Sequence, residues 1–159
     1  GRAPLLRVHS QCITGELFGS QRCDCSDQLN LAFHAMACEG RGLLIYEHQE
    51  GRGIGLMAKL QAYALQDGGL DTVEANHAPG FDADLRDFAL PVAILRVLGL
   101  SRVRLLSNNP AKLRALMTAG IEVDALLPCE TPPTPHSITY LRTKRYKLGH
   151  SLWLSPPRA

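Results

Sequence analysis

Two short strand-like runs, LLIY at 43–46 and VRLL at 103–106, each lie between stretches of helical spacing, and each is followed by a loop rich in glycine or asparagine. Strands that alternate with helices pack as an α/β domain with a mixed or largely parallel sheet and flanking helices, so this alternation constrains the fold more than any single motif. Ahead of LLIY, Leu29, Ala32, Phe33 and Met36 recur at helical spacing, with Ser26 placed to cap that helix and Gly40 to close it. The loop EHQEGRGIG feeds a second expected helix over 56–66, which Asp67, Gly68 and Gly69 stop. A third is expected over 91–98, ended by Gly99, and a fourth runs from Pro110 to Ala119 with Asn109 as its cap. Ligands of such folds gather at loops that follow strands, so the loops after LLIY and VRLL are the first places to look for phosphate binding.

A chain of 159 residues has the length of one domain, and its 45% apolar and 20% charged content is ordinary for a globular protein. Its longest apolar stretch, FALPVAILRVLGL, is interrupted by Pro91 and Arg96, so no membrane segment is expected. No leader sequence is expected from the residues at Gly1, and a cytoplasmic location is the expectation. A net charge of +2 argues against nucleic acid as a partner. Arg142, Lys144, Arg145 and Lys147 read as a solvated helix face. Five cysteines, an odd number, argue for thiols in a reducing compartment that bind metal or do chemistry. Cys38 falls in the apolar stripe of the first helix and reads as a buried structural thiol.

Cys12, Cys23 and Cys25 stand apart from it in one short polar stretch. Thiolates are soft ligands that favour zinc, and three of them leave a tetrahedral position for water, as catalytic sites do. A fourth ligand from His9, His34 or Cys38 would instead close a structural site, and spacing leaves both arrangements open. C-D-C lacks the separation of a redox pair. A zinc-bound water has its pKa lowered to about 7, which suits hydrolysis. HQE at 48–50 matches half of the zinc deaminase signature, but no P-C-x-x-C follows it.

In order along the chain, R-V-H-S-x-C, R-C-D-C, Q-E-G-R-G-I-G, Y-A-L-Q-D, D-T-V-E-A-N, R-D-F and S-N-N-P-x-K resemble the motifs of GTP cyclohydrolase II, and Y-L-R-T-K with L-G-H resembles its C-terminal segment. The resemblance implies a catalytic domain spanning 1–159 that lacks the N-terminal strands of the family, and a fused dihydroxybutanone phosphate synthase domain could precede it. It implies opening of the guanine imidazole ring of GTP, with release of formate and pyrophosphate, and a diaminopyrimidine product that begins riboflavin synthesis. Zinc on Cys12, Cys23 and Cys25, magnesium on the triphosphate and a homodimer are implied with it.

The same resemblance assigns residues. Tyr63 is implied near the purine, where its phenol would orient water or donate to an oxyanion, although Leu56, Leu60, Tyr63 and Ala64 also read as the apolar stripe of a helix. Arg86 is implied as a nucleophile on the α-phosphorus with Asp84 taking its proton. Deprotonating a guanidinium at pH 7 costs about 8 kcal/mol, and a neighbouring carboxylate raises that cost, so electrostatic clamping of the α-phosphate competes with covalent catalysis. A third reading makes Asp84 and Arg86 a cap for the helix near Phe88. Arg7, Gln28, Glu50, Arg52, Thr72, Ser107 and Lys112 are implied as GTP contacts. Of these, Glu50 cannot bind phosphate, and it suits the guanine N–H groups or, through water, magnesium.

Two departures stand out: Gln11 replaces a common acidic residue, and Ser107 replaces a threonine but keeps the hydroxyl. A non-catalytic GTP-binding protein with structural zinc, a homologue that stops at the formylated intermediate and one that serves another pathway are the alternatives.

Overall fold

The computed structural model describes residues 1–70 and 84–154. In chain order its elements are β1 (Leu5–Ser10), α1 (Ile13–Glu16), α2 (Cys25–Glu39), β2 (Leu43–Glu47), a 3₁₀ turn (Glu50–Gly53), α3 (Leu56–Asp67), α4 (Ala89–Val97), β3 (Arg102–Leu106), α5 (Pro110–Thr118), β4 (Glu122–Leu127) and α6 (Ile138–Leu148). They form two compact units, one of residues 1–9, 27–46 and 87–131, the other of the described parts of 10–26, 47–86 and 132–159.

The first unit holds the sheet, in the order β2-β1-β3-β4. β3 runs parallel to β1, with Leu5 opposite Arg104, and parallel to β4, with Arg102 opposite Glu122. Side chains alternate across the sheet, so β1 sends Leu6 and Val8 to one face and Leu5 to the other. Leu6, Val8, Ile45, Val103 and Leu105 pack with Val92 and Leu95 of α4 and Leu116 of α5. Leu5 and Leu106 pack with Ala32 of α2 and with Cys129. Apolar cores on both faces match the mainly apolar LLIY and VRLL runs, since a parallel strand covered on both sides buries residues of both parities. The expected α/β fold is therefore present.

Asn109 caps α5 as expected, its side chain accepting from Ala111 N at 2.9 Å, with Pro110 in the first turn. α4 starts two residues earlier than expected, because Asp87 Oδ1 accepts from Ala89 N at 2.9 Å, and Pro91 still lies in the first turn. Ser26 lies inside α2 rather than capping it. The buried face of α2 runs through Gln28 and Ala32, which leaves Phe33 54% exposed. Cys38 is exposed, with Sγ 3.6 Å from His34 Nε2, so it is not the buried thiol the stripe suggested.

In the second unit, α1 and α3 accompany the 3₁₀ turn and α6. α3 covers the expected 56–66, but Ala62 is its buried residue and Leu60 is 44% exposed. The stripe read through Leu56, Leu60, Tyr63 and Ala64 is thus not a core face. On α6, Arg142, Arg145 and Lys147 are exposed as expected, whereas Lys144 is not. Among the described residues no helix is long and apolar enough to cross a membrane.

Candidate active site

Cys12 precedes the first turn of α1, Cys23 lies in the following turn and Cys25 opens α2. The Sγ atoms of the three lie within 4.8 Å of one another, and among the described residues no further histidine, cysteine or carboxylate joins them. His9, His34 and Cys38 thus do not complete a four-ligand set. The Sγ atoms of Cys12 and Cys23 are 3.6 Å apart and unbonded. Two sulfurs on a tetrahedral zinc, each at about 2.3 Å, stand about 3.8 Å apart, so the spacing fits the ion. Gly15 leaves the room: a Cβ there would lie 3.1 Å from Cys23 Sγ and 3.4 Å from Cys12 Sγ.

Three adjacent sulfurs do not all ionise without a cation. Hydrogen bonds from Cys23 and Cys25, helped by Lys59 and opposed by burial, hold Cys12 far below the thiol range. Cys23 is pushed up to about 11, first by its hydrogen bond to Cys12, and Cys25 is raised by both neighbours. A divalent ion inverts this balance by stabilising every thiolate it touches.

The second layer of the site is polar and centred on Lys59, which the sequence reading did not single out. Its Nζ donates to Cys12 Sγ at 3.1 Å, to Thr14 Oγ1 at 2.8 Å and to Glu50 Oε1 at 2.7 Å. Burial opposes its charge, but the Cys12 thiolate and Glu50 outweigh that and hold the ammonium protonated. Glu50 is buried and already occupied: Oε2 accepts from Ile13 N at 2.6 Å and Oε1 from Gly51 N at 2.9 Å. Tyr63 stands one turn after Lys59 on α3, its hydroxyl 3.3 Å from Thr14 Oγ1 and the Arg22 guanidinium 4.9 Å from its ring centre. Burial raises the phenol's pKa despite Thr14 and Lys59, so it remains a donor. The i, i+4 spacing of Lys59 and Tyr63 was the signal in the sequence, since it puts the ammonium and the phenol on one helix face. Gln11 turns to His48, with Oε1 3.1 Å from Nδ1.

Arg86 grips Asp84 with two parallel bonds, Nε to Oδ1 at 2.8 Å and Nη2 to Oδ2 at 2.5 Å. Burial disfavours both charges, but the pair overrides it, lowering Asp84 and raising Arg86 from their ordinary values. Neither caps α4, where Asp87 bonds Ala89 N. Arg52 adopts φ 62°, the one positive φ among the described non-glycine residues, and its carbonyl accepts from Leu85 N at 3.0 Å. Such strain persists only where surrounding structure imposes it, and it concentrates at functional sites. Gly53 is needed beside it, since a Cβ there would meet the Leu85 backbone at 3.1 Å.

In the sheet unit, the other candidates collect at the C-terminal ends of β1 and β3, where α/β folds place ligands. Arg7 Nη2 donates to Gln28 Oε1 at 2.7 Å and Nη1 to Leu106 O at 3.1 Å. Lys112 Nζ donates to Val8 O at 2.8 Å, and Ser107 Oγ accepts from Asn109 N at 3.1 Å. All four are buried. Thr72 lies outside the described residues.

The family model of GTP cyclohydrolase II matches residues 1–128. A protein of Pseudomonas syringae pv. tomato named GTP cyclohydrolase-2 is 55% identical over 94% of this chain and 74% of its own length. The GTP cyclohydrolase-2 of Teredinibacter turnerae is 53% identical over 93% of the chain and 74% of its length. The Riboflavin biosynthesis protein RibBA of Cytophaga hutchinsonii is 51% identical over 93% of the chain, which corresponds to 36% of that longer protein. Matches of this extent, together with a thiol triad backed by an ammonium and a phenol, establish that the chain belongs to the GTP cyclohydrolase II family.

Proposed function

We propose that this chain hydrolyses GTP at guanine C8, opening the imidazole ring, releasing formate and pyrophosphate and leaving the diaminopyrimidine ribosylamino monophosphate that begins riboflavin synthesis. The observation that carries this reading is the triad of Cys12, Cys23 and Cys25, with Lys59, Thr14 and Tyr63 bonded beside it. Zinc held there would supply hydroxide at neutral pH by lowering the pKa of its water to about 7. Two waters are consumed at C8, one to open the ring and one to free formate, and a third cleaves the bond between the α- and β-phosphates.

The protein's own part is to hold charge and protons in place. Lys59 keeps Cys12 anionic and fixes Thr14, which orients the Tyr63 phenol. Tyr63 stays protonated and donates to the oxygen that develops charge at C8. Arg86 acts as a clamp on the α-phosphate rather than as a nucleophile, because its paired guanidinium is harder to deprotonate than a free one. Asp84 fixes the clamp's orientation. Arg7, Gln28, Arg52, Thr72, Ser107 and Lys112 contact GTP, the cations taking phosphate oxygens. Glu50 serves the reaction through Lys59 rather than on the base or on magnesium, since both its oxygens are engaged. Magnesium then rides on the phosphates of the substrate.

A homodimer is part of this proposal, supported by the exposure of Leu90 at 61% and Val97 at 87% on α4. So is a cytoplasmic location, supported by five free thiols. The test is incubation of zinc-loaded protein with GTP and magnesium, with formate, pyrophosphate and pyrimidine products measured together. Equal formate and pyrophosphate with a deformylated product is expected. A formylated product would favour the truncated reaction, and unchanged GTP would refute the proposal.

A further inference from the structure

Cys23 and Cys25 belong to the thiol triad, but the residue between them does not: among the described residues no carboxylate joins the three sulfurs. Asp24 is nevertheless only 4% exposed, and aspartate is almost never buried to that degree unless it is paired. Its Oδ1 accepts from Lys144 Nζ at 3.1 Å, and the side chains of the pair are 3% and 12% exposed. Lys144 lies 120 residues further along the chain, on α6. The sequence placed it on a solvated face, and the structure withdraws it to meet this one turn. Tyr140, one helical turn before it, sets the centre of its ring 4.6 Å from the ammonium. Burial opposes the charge of Lys144, but Asp24, then Tyr140 and Cys25, outweigh it and keep the ammonium protonated.

Arg22, on the other side of Cys23, supplies a comparison within the same turn. It grips Asp67 of α3 with bonds of 2.9 and 3.0 Å, yet those side chains are 43% and 63% exposed. Water screens such a pair, so it fixes little. The bond from Lys144 is closed to water, and there a cation and a carboxylate hold each other firmly because separating them would leave a buried charge uncompensated. The turn that presents two of the three sulfurs is therefore tied to α3 weakly and to α6 strongly. Groups that orient metal ligands govern affinity nearly as much as the ligands do.

We infer that Lys144 is a positioning residue of the metal site: by holding Asp24 it fixes the turn that brings Cys23 and Cys25 to Cys12. The inference rests on the proposed reading of the triad as a metal site and extends that site to α6, which contributes no thiol to it. A purely structural pair would stabilise the fold and leave the metal untouched.

Zinc affinity of the full chain, measured by chelator competition under reducing conditions, is the first readout, and the visible absorption of bound Co2+ is the second. Asp24→Asn with Lys144→Met removes both charges, so neither is left buried and alone. This double variant is expected to bind zinc about 10–100-fold more weakly and to shift the Co2+ bands, which report the geometry of the sulfurs. Lys144→Arg keeps a charged donor and retains most of the affinity. Arg22→Gln leaves zinc affinity within about twofold of wild type. Where the double variant does not fold, Asp24→Asn alone is expected to cost about fivefold in zinc affinity, the difference between a charged and a neutral acceptor. A folded variant with a lower urea midpoint but wild-type zinc affinity and Co2+ bands overturns the inference, as does an equal loss of zinc in Arg22→Gln. A folded wild type that binds neither zinc nor Co2+ overturns the metal site itself, which is a separate failure.

Discussion

The two compact units hold their candidate cations in different ways. At the sheet, the described hydrogen bonds of Arg7 run to a glutamine, a histidine ring and a backbone carbonyl, and Lys112 donates to the carbonyl of Val8. In the second unit Lys59 is paired with Glu50 and the Cys12 sulfur, Arg86 with Asp84, and Lys144 with Asp24. A buried cation held by dipoles keeps its charge for an incoming anion, whereas one paired with a carboxylate is fixed in position and partly neutralised. On the proposed function, the sheet unit would attract phosphate through Arg7 and Lys112, and the second unit would order the groups that act on the substrate.

Substitutions can break this contrast or sharpen it. Cys12→Ser or Cys23→Ser should cost about 10³-fold or more in kcat, roughly 4 kcal/mol of barrier, with zinc lost and the far-UV circular dichroism unchanged. Unfolding in these variants would instead mark a structural zinc. Lys59→Met should lower zinc affinity about 10–100-fold in a chelator competition, as the loss of a bond to a metal ligand does elsewhere, with Lys59→Arg intermediate. Lys112→Met should raise KM for GTP by about 10–100-fold with zinc content intact, which separates the units by readout. A zinc defect in that variant would erase the contrast.

A smaller effect concerns pH. Burial and the neighbouring Lys144, Arg86 and Arg52 depress His150 to about 3 from its ordinary 6.5, so the unfolded chain takes up a proton that the folded chain refuses. Its contribution is complete above about pH 6.5 and is lost as pH falls toward 3, by at most about 1.4 kcal/mol per pH unit. Urea titrations of His150→Gln should show a flatter acid limb than wild type. Smallest of all, Ser107→Thr should leave kcat and KM within about twofold, because the hydroxyl that accepts from Asn109 N is retained.

Helices with strong punctuation were legible in the sequence. Asn109 and Pro110 began α5, and Gly40 closed α2 at φ 70°. β4 was not read as a strand because it lies at the sheet edge, where its residues alternate between exposed and half-buried and Glu122 and Asp124 break any apolar run. β1 was hidden because Arg7 and His9 alternate with Leu6 and Val8, and buried polar residues do not look like a core strand. The thiols were visible from chemistry alone, since few other uses suit three cysteines at such spacing. Lys59 and Lys144 were not, because nothing in sequence distinguishes a helix lysine that meets a sulfur or a half-buried tyrosine from one that meets water. Only their spacing to Tyr63 and Tyr140 carried a trace of it.

Zinc removal under reducing conditions tests the central claim most directly, with formate release from GTP and far-UV circular dichroism followed on the same sample. The account predicts that formate release stops while the fold persists, and that stoichiometric zinc restores turnover. Formate release from the folded, metal-free protein, or unfolding on removal of the metal, would contradict it.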